Sequence, residues 1–276
     1  MCVYFCLFDV QLTAMKFLNQ ILRITFFVNI VFTPLWGLSW GQTGHRVVGE
    51  IATRYLAPEV KEKLHELLEG QSLAVVSNWM DDIKSDQRYD SLRPWHYVSI
   101  PDGKAYEASV KNPKGDIVKG INVCIEKLKE GGLDKNAERE LVKILVHLMG
   151  DIHQPFHVGR KEDRGGNDVK VKWFWSSSNL HRVWDSGMID SKNYSYTELA
   201  NALYVPNEEE IEKWQHDSMN KWIRECMQLR PAIYDLPADN EINYAYRYAH
   251  WDTVKMQLLK GGIRLAGVLN QIYGQS

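Results

Sequence analysis

Apolar residues that recur every three or four positions, punctuated by helix-capping residues, constrain this chain more than any other feature. Val47, Val48, Ile51, Ala52 and Leu56 share one side of a helix that Thr43 can cap. Pro58 at a first helical position opens the next, with Val60, Leu64, Leu67 and Leu68 on one face and Gly70 closing it. A third helix is expected near 72–84. Ile117, Val118, Ile121, Cys124, Ile125 and Leu128 mark another, ended by Gly131-Gly132. A long one runs from Asn136 to about Ile152 and stops near Pro155. Two more long helices are expected near 208–229 and 241–273, the acidic run Glu208-Glu209-Glu210 forming a first turn. Residues 87–103 hold Pro94, Pro101 and Gly103 and read as irregular. One stretch alternates instead: after the turn signal Arg164-Gly165-Gly166-Asn167, Val169, Val171 and Trp173 interleave with Lys170, Lys172 and Phe174, as a short hairpin does. The fold class expected is all-α, with a short β-hairpin.

Residues 1–39 are of another kind. They are apolar, carry Asp9 as their sole carboxylate, and place Lys16 and Arg23 ahead of a run from Ile24 to Leu38 that ends Gly37-Leu38-Ser39. A positive start, an apolar centre and small residues before a cut describe a secretory signal peptide, with Met15 able to serve as its start. Cleavage after Ser39 leaves 40–276 as one domain of 237 residues and moves the net charge from −2 to −3. That length is enough for a full core. The charge excludes a strongly basic nucleic-acid glove. Export is the expected localisation, with no membrane association once the leader is gone. Cys124 and Cys226 remain, either bonded or as buried thiols; one pair is no disulfide framework. Asn193-Tyr194-Ser195 is a glycosylation sequon for an exported chain.

The nine histidines are unevenly spread. His147, His153 and His157 fall within eleven residues, with Asp151 among them. His147 and Asp151 are four apart on an expected helix, so both leave one face. His181 and Asp185 repeat that spacing. Two imidazole–carboxylate pairs suit zinc, which accepts His nitrogen and Asp oxygen and imposes little geometry of its own. Pro155 ends the helix so that His157 can turn away and serve another ion, while Asp151 has two oxygens with which to bridge a pair. Signal cleavage would also free an α-amine at Trp40, five residues from His45. Its reference pKa of about 7.7–8.0 makes deprotonation for metal binding cheap near neutrality. His65, His216 and His250 lack a spaced carboxylate partner and read as structural.

In order along the chain, Trp40-Gly41-x-x-Gly44-His45, Trp79-Met80-Asp81, Trp95-His96, His147-x3-Asp151-Ile152-His153-Gln154-Pro155-Phe156-His157, Gly165-Gly166-Asn167 and Asn179-Leu180-His181-x2-Trp184-Asp185 resemble the S1/P1 nucleases, a family of trinuclear-zinc, single-strand-specific secreted enzymes. The resemblance spans 40–185; the C-terminal helices carry no diagnostic motif. It implies the phospholipase C-like helical fold and three Zn²⁺. It assigns Asp81, His96, His147 and Asp151 to one ion, Trp40 (amine and carbonyl), His45 and bridging Asp151 to a second close by, and His157, His181 and Asp185 to a third.

The same resemblance implies hydrolysis of single-stranded RNA or DNA to 5′-phosphate products, with release from 3′-nucleotides as well. Two close zincs would activate a water and a further zinc would hold the leaving oxygen. Asp81, Lys84 and Asp151 would be catalytic, Lys84 neutralising the pentavalent phosphate. Tyr97 matches a base-stacking position. Ser99 stands where fungal members carry a base-reading Asp, and Ser186 where some carry Asn. Trp79, Trp95 and Trp184 read as walls beside ligands; His153 and Gln154 read as packing or support. No stable protein partner is expected, and the chain is expected to be a monomer. A secreted zinc phospholipase C is the nearest alternative, but that family spaces its next His farther from the N-terminal Trp and ends its last pair in Glu. A non-catalytic zinc-binding protein is the other; it predicts a lost ligand or an absent Lys84, and neither is seen.

Overall fold

The computed structural model describes residues 40–274, so the segment read as a leader lies outside the described residues. Helix α1 (Gln42–Tyr55) buries Val47, Val48, Ile51 and Ala52 as the period requires, together with His45. Its cap is Gly41 rather than Thr43, and the cap uses no side chain. The Gly41 N–H is held instead by the distant Asp185 carbonyl at 2.6 Å, so tertiary contact replaces local capping. Helix α2 (Pro58–Leu67) starts on its proline as expected. The single helix expected over 72–84 is broken into α3 (Leu73–Val76), α4 (Trp79–Asp82) and a 3₁₀ turn (Ile83–Ser85). At the break the Ser77 hydroxyl bonds back to the Ala74 carbonyl at 2.9 Å, a local competitor of the helical ladder.

Residues 87–103 are more regular than Pro94 and Pro101 led us to expect. A 3₁₀ helix runs Gln87–His96, and strand β1 (Val98–Ser99) follows. Helices α5 (Ile117–Glu130) and α6 (Lys135–Asp151) are capped by Asp116 and Asp134, each accepting two backbone N–H groups. After α6 the chain turns into β2 (Val158–Gly159), which pairs in parallel with β1. The alternating stretch forms β3 (Lys170–Trp173), antiparallel to β4 (Ser176–Asn179). Its turn residues Phe174 (φ 45°) and Trp175 (φ 70°) are both left-handed.

Short helices α7 (Leu180–Arg182), α8 (Met188–Asp190) and α9 (Tyr196–Asn201) lead to the C-terminal pair. The helix expected over 208–229 is two, α10 (Glu208–His216) and α11 (Met219–Ile233). Asp217 and Ser218 between them are extended, and the Asp217 carboxylate goes to Arg264 at 2.5 Å. Residues 241–242 form strand β5 beside β3 instead of a helix start, and α12 (Tyr244–Tyr273) begins at the Asn243 cap. Helix α12 packs along α1. They approach so closely that a Cβ at Gly262 would lie 2.4 Å from Ile51 Cγ2. The result is the expected all-α fold with small sheets; among the described residues no helix is long and apolar enough to cross a membrane.

Candidate metal centre

Three His/Asp groups stand where α1, α4, α6 and the turns after α6 and β4 converge. Asp81, His96 and His147 form one, His45, His147 and Asp151 the second, His157, His181 and Asp185 the third; in each group the ligand atoms lie within 4.8 Å of one another. All eight side chains expected as ligands are thus gathered. Trp40, the ninth residue expected as a ligand, is fully buried, and its neighbour Gly41 is tethered to Asp185. His147 belongs to two groups, so with Asp151 it lies between the first and second groups rather than in the first alone.

Asp151 is the hub. Its Oδ2 lies 2.8 Å from His96 Nδ1 and 3.1 Å from His147 Nε2. Its Oδ1 lies 3.3 Å from His45 Nε2 and 3.4 Å from His157 Nδ1. The sequence spacing explains half of this, because His147 and Asp151 are one helical turn apart at the end of α6. The turn after α6 explains the rest. The helix stops at Asp151, earlier than Pro155 alone requires, and His157 returns to touch both Asp151 and Asp185, the latter at 3.5 Å. His181 and Asp185, 3.0 Å apart, are not on a plain α-helix: α7 passes into a π-helical turn (Val183–Gly187), an irregularity common at functional sites. Trp184 within it donates to the Tyr246 hydroxyl at 2.9 Å, which anchors the turn on α12.

The rings are oriented from behind. His147 Nδ1–H donates to the Ser77 carbonyl at 2.7 Å, His157 Nδ1–H to the His96 carbonyl at 2.7 Å, and His181 Nδ1–H to the Gly165 carbonyl at 2.6 Å. A carbonyl only accepts, so Nδ1 carries a proton in each ring and Nε2 is the nitrogen turned to the site, the usual support of a metal-bound imidazole. His45 stacks on His147 with centroids 4.0 Å apart. Its ring rests on Gly150, where an added Cβ would fall 2.6 Å from Nδ1.

The donor set fits divalent cations. His45 Nε2, His157 Nε2, Asp151 Oδ1 and Asp185 Oδ2 are buried without a hydrogen bond, although each has an imidazole nitrogen or carboxylate oxygen of the site within 3.5 Å. Buried polar atoms left this way are costly unless an ion completes them. Nitrogen and carboxylate oxygen are zinc donors. The electrostatics agree. Burial, which alone would raise it, is overcome at Asp151 by the charges of His147 and His157, and its carboxyl stays well below the usual range. At Asp81 burial is likewise outweighed, by His147 and then Lys84, so it too is held as a carboxylate. Burial lowers His96 to about 4 and, with His147, lowers His45, so both stay neutral and keep a lone pair to give. His157 goes the other way: burial opposes its charge, but Asp151 raises it to about 9.

Lys84 pairs with Asp81 at 2.5 Å and lines a small pocket with Met80, Ile83, Tyr89, Leu92, Arg93 and His96. Tyr97 is exposed, so its ring face is open, and Ser99 is half-buried on β1. Gln154 reaches further than packing: it is buried and its amide donates to Asp185 Oδ1. The carbonyls of Ser77, His96 and Gly165 escaped sequence reading, because any residue supplies a carbonyl. His153 is no ligand: Nδ1–H goes to the Met149 carbonyl and Nε2 accepts from Arg264. His65 and His216 lie exposed, and His250 sits against Tyr246 and Trp184. Cys124 and Cys226 are free and buried, and burial pushes both thiols up to about 12.

A helical scaffold that gathers imidazoles and carboxylates into three groups able to hold metal ions suits a metal-assisted hydrolase. The S1/P1 Nuclease family model matches residues 40–274, and the chain belongs to that family. It is 33% identical over 267 residues to Endonuclease 3 of Arabidopsis thaliana, covering 86% of this chain and 90% of that protein. Endonuclease 2 of the same plant is 30% identical, with 85% and 91% covered. Nuclease P1 of Penicillium citrinum is 23% identical, with 85% and 98% covered. The chain is accordingly a hydrolase of nucleic-acid phosphodiester bonds, which sets the phospholipase and non-catalytic alternatives aside.

Proposed function

We infer that the chain is an exported, zinc-dependent endonuclease that cuts single-stranded RNA and DNA to 5′-phosphate products and also releases phosphate from 3′-nucleotides. It works as a monomer of one domain, 40–276, after loss of a signal peptide at 1–39. Three Zn²⁺ are held by Trp40, His45, Asp81, His96, His147, Asp151, His157, His181 and Asp185. The observation that carries this reading is Asp151: fully buried, with one oxygen facing His96 and His147 and the other facing His45.

Bound zinc supplies Lewis acidity, which acidifies water and offsets charge on the phosphate. The protein's own groups do the rest. Asp81 and Asp151 stay ionised and hold their side of the site in place. Lys84, paired with Asp81, lies at the edge of the first group and neutralises the negative charge that builds on phosphate oxygens in the transition state. Tyr97 offers an open aromatic face, and a stacked base is worth about 1–3 kcal/mol. A duplex base is already stacked and cannot reach it without unpairing, hence the preference for single strands. Ser99 presents a neutral hydroxyl, so base selection here rests on stacking more than on a carboxylate.

Purified chain beginning at Trp40 tests the reading. It is assayed on single-stranded RNA, single-stranded DNA, duplex DNA, phosphatidylcholine and a 3′-nucleotide, with and without chelator. Chelator-sensitive cleavage of single strands with three zinc ions per chain is expected. Fewer ions, or equal cleavage of duplex, overturns it.

A further inference from the structure

The first and third metal groups are joined by a seam of backbone. His96 is followed by Tyr97 and β1, and His157 leads directly into β2. The seam is short: Val98 pairs with Val158 and Ser99 with Gly159. Val98 N–H donates to the His157 carbonyl at 2.8 Å and Ile100 N–H to the Gly159 carbonyl at 2.9 Å. His157 Nδ1–H completes it on the His96 carbonyl. A parallel pair of two-residue strands has little stability of its own.

Arg230, on α11 and far from every ligand in sequence, grips both strands. Its Nη1 donates to the Ile100 carbonyl at 2.8 Å and to Asp102 Oδ1 at 2.9 Å. Its Nη2 donates to the Val158 carbonyl at 2.6 Å and to the Gly159 carbonyl at 3.1 Å. The side chain is 3% exposed, whereas Asp102 is 55% exposed. A guanidinium needing only a counter-ion could meet that carboxylate in solvent. Burying it against three strand carbonyls makes sense as a fork spanning two strands, a geometry one ammonium cannot copy. Asp102 also takes Arg160 at 2.7 Å, and Arg160 lies over the Tyr234 ring, so the outer end of the clamp is itself braced on α11's end.

We propose that Arg230 is a positioning residue for the metal centre: by clamping β1 to β2 it fixes the third ligand group, and the Tyr97 wall, against the first. This rests on the three-ion reading above. Asp81, His147, His45 and Asp151 ride on helices α4, α6 and α1, whereas His157 lies on the turn after α6, at the mouth of the seam. Loosening the clamp therefore frees the ion of His157, His181 and Asp185 first.

Arg230→Lys and Arg230→Gln are compared with the unaltered chain, all starting at Trp40 and loaded with zinc. Zinc release into a competing chelator is followed at a temperature well below each melting midpoint, so that only folded protein contributes, and kcat and KM are measured on single-stranded DNA. One of three ions is expected to leave about 10–100-fold faster in both variants, with kcat reduced by a like factor, because supporting residues of metal ligands carry effects of that size. A lowered melting midpoint with release rates and kcat within twofold of the unaltered chain overturns the clamp and leaves a purely structural arginine. If neither variant folds, Asp102→Ala removes one exposed anchor. A release about threefold faster then supports the clamp, and an unchanged rate overturns it. An unaltered chain that does not hold three ions overturns the metal reading itself, and the clamp with it.

Discussion

Replacing Gly150 by alanine separates stability from function at this site. Gly150 lies in α6, one residue before Asp151, and helices prefer alanine to glycine by about 0.5–1 kcal/mol. Here the added Cβ would lie 2.6 Å from His45 Nδ1 and 2.9 Å from Cε1, where ordinary contact begins near 3.4 Å. The imidazole must retreat by about 0.8 Å, and the stack on His147 and the approach to Asp151 Oδ1 move with it. Overpacking of this kind costs about 1–3 kcal/mol, so after the helix gain the net loss is roughly 0–2.5 kcal/mol. That is a fall in melting midpoint of less than about 10 °C for a domain of this size. Function is less tolerant, since sites need their groups within about 0.5 Å. A misplacement near 1 Å costs roughly 100-fold, or about 2.7 kcal/mol of barrier. Gly150→Ala is therefore expected to fold, to hold zinc less tightly at the His45 group, and to lose about 100-fold in kcat/KM on single-stranded DNA. Kinetics within twofold of the unaltered chain, at full zinc content, would refute the placement of His45 in the metal centre.

Asp151→Asn keeps the shape and removes the charge that His96, His147, His45 and His157 all face; activity should vanish and two ions should loosen together, as metal analysis after dialysis will show. Adding one residue ahead of Trp40 removes the α-amine as a ligand and should lower the zinc-to-protein ratio; an unchanged ratio by elemental analysis rejects that ligand. At the hairpin turn, Trp175→Gly supplies a residue suited to a left-handed position at an exposed side chain, while Phe174 keeps its packing on Tyr244, and should raise the unfolding free energy by about 1 kcal/mol, read from denaturant midpoints.

Helix periodicity read well where one face is simply buried, as in α1, α2, α5 and α6. It failed where a distant group decides the backbone. Asp217 ends α10 while its carboxylate serves Arg264, and residues 241–242 extend because β3 offers them a pairing edge. Neither partner is near in sequence. The site divides the same way. His147 with Asp151 and His181 with Asp185 announce themselves by spacing, though the second pair rides a π-turn that spacing cannot distinguish from an α-turn. Asp81 and His96 have no periodic signature, and only resemblance to a family placed them. The carbonyls that aim the rings leave no trace in side-chain identity at all. Gln154 had a visible signal, an amide flanked by ligand residues, yet its partner Asp185 lies 31 residues on.

Charge explains why such a centre has to be built from ions rather than from arginines. The chain from Trp40 onward carries a net −3, and its three groups contribute the carboxylates Asp81, Asp151 and Asp185, with Lys84 paired to Asp81. Left alone, that cleft repels a phosphate. Cationic side chains packed there would be as buried as Asp151 and would need carboxylate partners that cancel them. Dications are different: each brings two charges on one small centre and takes its donors from neutral imidazoles, which burial keeps unprotonated at His45 and His96. On the three-zinc reading, three Zn²⁺ against Asp81, Asp151 and Asp185 would turn the cleft to about +3, so the ligands whose burial is costly would, once loaded, create the field that draws in a polyanion.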